Sequence, residues 1–171
     1  IQGIKGSFHH IVAENYFGKE TELLECMTFA EMPDRVLSDE VDYAIMAIEN
    51  SIAGALLPNY ALIDESNLLV VGEFYLEINH NLMASKGQKI EDIKKVYSHP
   101  MALLQCRSFF KDYPHIKLIE DVDTADVAKR IQDNGLTKVG AIASKRAAEI
   151  YELDIVAEQI QTIKKNFTRF V

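Results

Sequence analysis

Thr168, Arg169 and Phe170 lie in the stretch NFTRFV, residues 166–171. A strand turns alternate residues to opposite faces, so Thr168 and Phe170 point one way and Phe167 and Arg169 the other. Each face then mixes one polar and one aromatic side chain, which does not suit a plain half-buried strand. A hydroxyl donates a hydrogen bond, a guanidinium holds a carboxylate in two parallel bonds, and a ring excludes water. Together they suit the edge of a ligand site. A second group stands in AIENSIAG, residues 47–54. Here Glu49, Asn50 and Ser51 offer an acceptor, an amide and a hydroxyl after an apolar run, although Asn50 and Ser51 also fit plain turn and cap residues. A third is YSHPMALLQC, residues 97–106. Ser98 suits a helix cap, Pro100 its first turn, His99 offers an imidazole for acid or base work, and Gln105 falls two helical turns beyond Ser98. A fourth, GIKGSFHH at residues 3–10, carries Ser7 between two glycines and a histidine pair. It has neither GxGxxG nor GxxxxGK[ST], so a nucleotide is not expected there.

These residues need elements to hold them, and the chain supplies an alternation. GSFHHIVAENYFG reads as a helix ending at Gly18, FAEMPDRVLS as a second, and YAIMAI (43–48) as a buried strand. A helix follows over about 55–63, with Pro58 in its first turn. LLVVGEFYLEINHNLMAS reads as two strands or one bent strand. IQGI, ELLECM, KKVYSH, HIKLIED, VGAIAS, DIVAEQI and FTRFV read as strands. PMALLQCRSFFKDY, TADVAKRIQDN and KRAAEIYEL read as helices, and Asp123 or Thr124 as a cap. Such alternation predicts an α/β fold with mostly parallel sheet. The two halves read as lobes: residues 1–76 plus 156–171 form the first and 77–155 the second, together one domain. In open α/β sheets, ligands bind beyond the carboxyl ends of strands, where Asn50 and Ser98 both stand.

Composition narrows the function. A formal net charge of −8 argues against a general nucleic-acid binder, which needs a basic surface. Cys26 and Cys106 make no disulfide framework and no CxxC pair, in keeping with a reducing compartment. No apolar run reaches membrane-spanning length, and the first residues have no signal-peptide layout. His9 and His10 are adjacent and so point apart on a helix, with no Cys or carboxylate at ligand spacing, so no metal site is expected.

Taken in order, GIKGSF, AIENSIAG, YSHPMALLQC, VGAIASKRAAEIYEL and NFTRFV resemble the successive blocks of the prephenate dehydratase family, over almost the whole chain. The threonine–arginine–phenylalanine triplet is the most telling. The resemblance implies a two-lobed fold of the type II periplasmic-binding-protein kind, with the active site in the cleft between lobes. It implies decarboxylative dehydration of prephenate to phenylpyruvate, carbon dioxide and water in phenylalanine biosynthesis. No cofactor or metal is implied. The expected setting is the cytoplasm, and the expected assembly a homo-oligomer, dimer or tetramer. By resemblance Thr168 is the catalytic hydroxyl and Asn50, Ser98 and Gln105 its partners at the substrate. Glu49, Ser51, His99, Arg169, Phe170 and Ser7 fall in the same motifs. Chemistry alone admits His99 as well as Thr168 for the proton donor, and Arg169 either binds a carboxylate or braces its lobe.

The chain departs from the family pattern at Ile4, where a proline is common, and at His9, where a serine is. Met101, Asp123 and Thr162 are further departures. Full-length relatives continue into an ACT-type domain that senses phenylalanine. Val171 follows the triplet directly, so either the protein continues beyond this sequence or it lacks that control, and the chain as it stands is expected to be insensitive to phenylalanine. Arogenate dehydratase is the near alternative, and a non-catalytic two-lobed binding or effector-sensing module the distant one.

Overall fold

The first helix, α1 (Phe8–Phe17), stops at Gly18, whose φ of 101° no ordinary side chain adopts without strain. Its inner face buries His9, His10, Val12 and Ala13. The computed structural model describes all residues, 1–171. Next come α2 (Glu31–Leu37), β1 (Ala47–Asn50), β2 (Gly54–Ala55), α3 (Leu57–Ser66) and β3 (Phe74–Glu77). Pro33 is tolerated in α2 because it sits in the first turn, where its missing N–H has no partner to lose. IQGI and ELLECM, expected as strands, form no ladder: they share one parallel bridge between Gln2 and Cys26, beside a bond from the Ile1 amino group to the Leu24 carbonyl at 2.9 Å. In YAIMAI the ladder begins at Ala47, later than the apolar run suggests, and extends to Asn50.

Beyond β3 lie β4 (Asn81–Ala84), β5 (Lys95–Ser98), α4 (Pro100–Cys106), β6 (Lys117–Glu120), α5 (Thr124–Asp133) and β7 (Val139–Ala143). Then follow α6 (Lys145–Ile150), β8 (Asp154–Ala157) and β9 (Phe167–Phe170). Asp123 caps α5 by accepting from the backbone N–H groups of Ala125 and Asp126 at 2.8 and 2.9 Å. Ser144 caps α6 by accepting from the Ala147 N–H at 3.0 Å and donates its own proton to the Gly6 carbonyl at 2.5 Å. Gly6 is required there: its φ is +93°, and a Cβ would lie 2.9 Å from the Ala147 Cα.

The chain divides into two units. The first comprises Ile1–Ile4, Phe8–Ile78 and Lys165–Val171, and the second Lys5–Ser7 and Asn79–Lys164. The first unit's sheet has the order β2-β1-β9-β3. The second unit's sheet has the order β6-β5-β7-β4-β8. The expectation of mostly parallel sheet is corrected here. Every ladder of the first sheet is antiparallel, and in the second only β5–β6 and β5–β7 are parallel. Helix–strand alternation dictates connectivity; the direction of a ladder depends on long-range pairing. The last strand enters between β1 and β3 and runs against both. Asp154–Ala157 pairs with β4 and stays in the second unit, so the chain returns to the first at Lys165 rather than near 156. The backbone N–H of Ile160 donates to the His80 carbonyl at 2.8 Å, and that of His80 to Gln161 Oε1 at 3.0 Å, which ties this stretch to the start of β4.

Each unit has its own core. In the second, Leu82, Ile93, Val96, Cys106, Ile131 and Ile142 are wholly buried, and all four residues of β4 are buried. This is why its sequence reads as continuous rather than alternating. In the first, Val12, Ala13, Ile45, Ala47 and Phe170 pack together.

Candidate active site

Asn50 ends β1 directly opposite Thr168 on β9. Its side chain is fully occupied. Oδ1 accepts from the backbone N–H groups of Ile52 and Ala53, both at 2.9 Å, forming the turn into β2. Only an oxygen can accept twice from N–H donors, so these bonds decide which end of the amide is which. Nδ2 then faces the other way. It donates to Asn166 Oδ1 at 2.7 Å, to Thr168 Oγ1 at 2.9 Å and, more weakly, to the Phe167 carbonyl at 3.3 Å. The Thr168 oxygen is therefore an acceptor within the protein, and its own proton remains to be given to something else. Thr168 is 8% exposed, near enough to the surface to be reached yet largely desolvated, where hydrogen bonds are electrostatically stronger than in water.

Strand alternation sorts the rest of the triplet. Asn166, Thr168 and Phe170 share one buried face of the last strand, while Phe167 and Arg169 share the other. Phe170 belongs to the core: it is 2% exposed and meets the His9 ring edge-on at 5.0 Å. Arg169 stands opposite Glu49 and Tyr75 in the flanking strands, away from Thr168. Its guanidinium pairs with Glu73 at 2.8 Å and lies 5.9 Å over the Tyr75 ring. Ser51 closes the strand end, its N–H donating to the Phe167 carbonyl at 2.8 Å and its Oγ accepting from the Phe167 N–H at 2.9 Å. The structure thus brings Asn50 to Thr168, and turns Glu49 and Arg169 to the opposite face.

The second unit holds the other expected residues. Ser98 is fully buried at the end of β5 and donates to the Ile142 carbonyl at 2.7 Å, so it is not the cap of α4. That cap is His99, whose Nδ1 accepts from the Met101 N–H at 3.2 Å and whose ring is otherwise exposed. Gln105 does not return to Ser98, because the helix starts only at Pro100. Its Oε1 instead meets Nε2 of His80 at 2.9 Å. A carbonyl oxygen can only accept, so the His80 proton sits on Nε2. Burial lowers the His80 pKa to about 4, against an opposing contribution from the Gln105 bond, and the ring is neutral at pH 7. Ser7 is buried just before α1, beside the Gly6 carbonyl that Ser144 holds.

Two participants escape sequence reasoning. Asn166 is wholly buried and reaches Asn50 across 116 positions. The period-two pattern 166, 168, 170 was a readable signal for it. His80 had none, standing between two asparagines just before β4. No three His, Cys, Asp or Glu side chains gather where they could hold a metal ion.

The family model described as prephenate dehydratase matches residues 1–171. A protein of Arabidopsis thaliana named arogenate dehydratase/prephenate dehydratase 1, chloroplastic, is 42% identical over 170 residues, 99% of this chain and 43% of that protein. The chain spans less than half the length of such relatives. A solved prephenate dehydratase from Arthrobacter aurescens, in complex with L-Phe, superposes with a TM-score of 0.87 at 24% identity, covering 99% of this chain and 59% of that one. A structure described as a novel type of quorum-quenching acylase superposes with a TM-score of 0.86 at 29% identity, with 99% and 60% covered. The fold is therefore the two-lobed, periplasmic-binding-protein-like α/β fold. With the family's model matched from first residue to last, the chain belongs to the prephenate dehydratase family.

Proposed function

We propose that the protein converts prephenate to phenylpyruvate, carbon dioxide and water, with Thr168 as the donor to the departing hydroxyl. The observation that carries this reading is the Thr168 oxygen, which accepts from Asn50 Nδ2 at 2.9 Å and leaves its proton unspent. In the reaction the bond from the ring to its carboxylate breaks, and its electron pair moves into the ring as the bond to the hydroxyl breaks at the far carbon. The ring becomes aromatic, and the hydroxyl takes up a proton to leave as water. A threonine hydroxyl is too weak an acid to give up its proton outright. It lowers the barrier by donating to the oxygen as negative charge gathers there, and solvent supplies the net proton. Asn50 strengthens it as a donor by pulling on its oxygen. Such preorganised donors contribute on the order of 100-fold or more in rate.

The ring carboxylate must be held loosely, since a tight ion pair would stabilise the ground state. The pyruvyl carboxylate, which does not depart, can be held firmly. Ser98 ties the end of β5 to β7, while Glu49, Ser51, Arg169 and Phe170 brace the strands that carry Asn50 and Thr168. The whole protein works as a cytoplasmic homo-oligomer, as its resemblance to the family implies, and sedimentation of the purified protein measures that assembly. Fold alone does not choose the reaction, as the acylase with the same fold makes plain. The test is product analysis with prephenate and arogenate in parallel, following phenylpyruvate and phenylalanine. Phenylpyruvate from prephenate supports the reading. Phenylalanine from arogenate alone would move the substrate to arogenate, and neither product would overturn the proposal.

A further inference from the structure

Thr168 has one proton to give, and where it points depends on what faces its oxygen. That partner is Asn50 Nδ2, which has only two hydrogens. One goes to Thr168 Oγ1 at 2.9 Å and the other to Asn166 Oδ1 at 2.7 Å. The Phe167 carbonyl lies 3.3 Å from the same nitrogen and competes for either. Asn166 is wholly buried, and its own backbone carbonyl is fixed by the Ile78 N–H at 2.7 Å. It shares the inner face of β9 with Thr168. An acceptor so held takes one Asn50 hydrogen at short range and leaves the second directed at Thr168. Without it, the Asn50 amide gains a choice, since the freed hydrogen and the Phe167 carbonyl draw it away from the threonine oxygen.

We propose that Asn166 is a positioning residue: it acts through Asn50 to keep the Thr168 oxygen an acceptor, and so keeps the Thr168 proton available to the substrate. This deepens the reading given under Proposed function and rests on it. A buried polar residue is also a structural residue, and the experiment must separate the two roles. If Asn166 works through Thr168, removing it matters only while the Thr168 hydroxyl is present. A disturbance of the fold would slow turnover in both backgrounds alike.

The experiment compares Asn166→Ala, Thr168→Ala and the double variant, each checked for cooperative melting, with prephenate as substrate. We expect Asn166→Ala to lower kcat by about tenfold or more with KM changed less than about threefold, as for a contact that matters mainly in the transition state. In the Thr168→Ala background the same change should lower kcat by less than about threefold. Equal losses in both backgrounds overturn the proposal, as does a normal kcat for Asn166→Ala. If Asn166→Ala does not melt cooperatively, Asn166→Ser, whose shorter side chain cannot reach Asn50 as the amide does, is judged by the same two criteria. Failure of the underlying reading looks different: Thr168→Ala itself then keeps normal turnover.

Discussion

Two histidines set how the protein responds to mild acid. His9 is packed between the rings of Phe29 and Phe170, and burial lowers its pKa from 6.5 to about 3. His80, buried against Gln105, is lowered from 6.5 to about 4. Between these values and 6.5 the unfolded chain binds protons that the folded one refuses, so stability falls as pH falls through 6.5 and levels off only below the folded values. At about pH 5 each ring lies about 1.5 pH units below its unfolded value while still neutral in the fold, which costs about 2 kcal/mol per histidine and about 4 kcal/mol together. That is a large share of the about 5–15 kcal/mol that ordinary domains possess. The carboxyls of Glu31 and Glu152, held low by Thr28 and Lys86, begin to lose their stabilising effect only as pH falls through the ordinary carboxylate value. Asp123, raised by burial, works in the opposite sense. Urea unfolding followed by circular dichroism at about pH 7.5 and about pH 5 gives the difference directly. His9→Phe and His80→Asn should each remove about half of the wild-type loss, whatever they do to stability at neutral pH. A wild-type loss below about 1 kcal/mol, or an undiminished loss in both variants, would refute the reasoning.

Two further outcomes follow from the geometry around β9. Asn50→Asp keeps an oxygen for the Ile52 and Ala53 N–H groups but has no hydrogen for Thr168, so the turn should survive while kcat falls by about tenfold or more in a steady-state assay. Arg169→Gln breaks an exposed pair with Glu73 on the face away from Thr168, so kcat should stay within about threefold of wild type, and a larger loss would return Arg169 to the substrate.

What the sequence made legible follows from local physics. The end of α1 at Gly18, Asp123 as a cap and Pro58 in a first helical turn are local features, and local chemistry dictates them. So does the placing of Thr168 and Phe170 on one face and Arg169 on the other, which needs only the period of a strand. Ladder direction was not legible, because β9 pairs with β1 and β3 across most of the chain. Nor was the fate of Ser98, which suited a cap from its place before Pro100. The ladder continues through Ser98, and its hydroxyl turns inward to Ile142, 44 positions away. Gln105 was placed by counting turns from Ser98, and the count failed because the helix begins two residues later. Asn50 and Thr168 were recognised through a family resemblance; the bond between them, and the Asn166 contact that completes it, is tertiary.

The central claim is that the Thr168 hydroxyl proton serves the departing oxygen, and one comparison tests it most directly: kcat for phenylpyruvate formation by wild type, Thr168→Ala and Thr168→Ser, with melting curves alongside. A lost acid–base or charge-stabilising contact predicts a fall of at least about 100-fold for Thr168→Ala and recovery to within about tenfold of wild type for Thr168→Ser, which restores the hydroxyl. A folded Thr168→Ala enzyme with near-normal turnover would contradict the account.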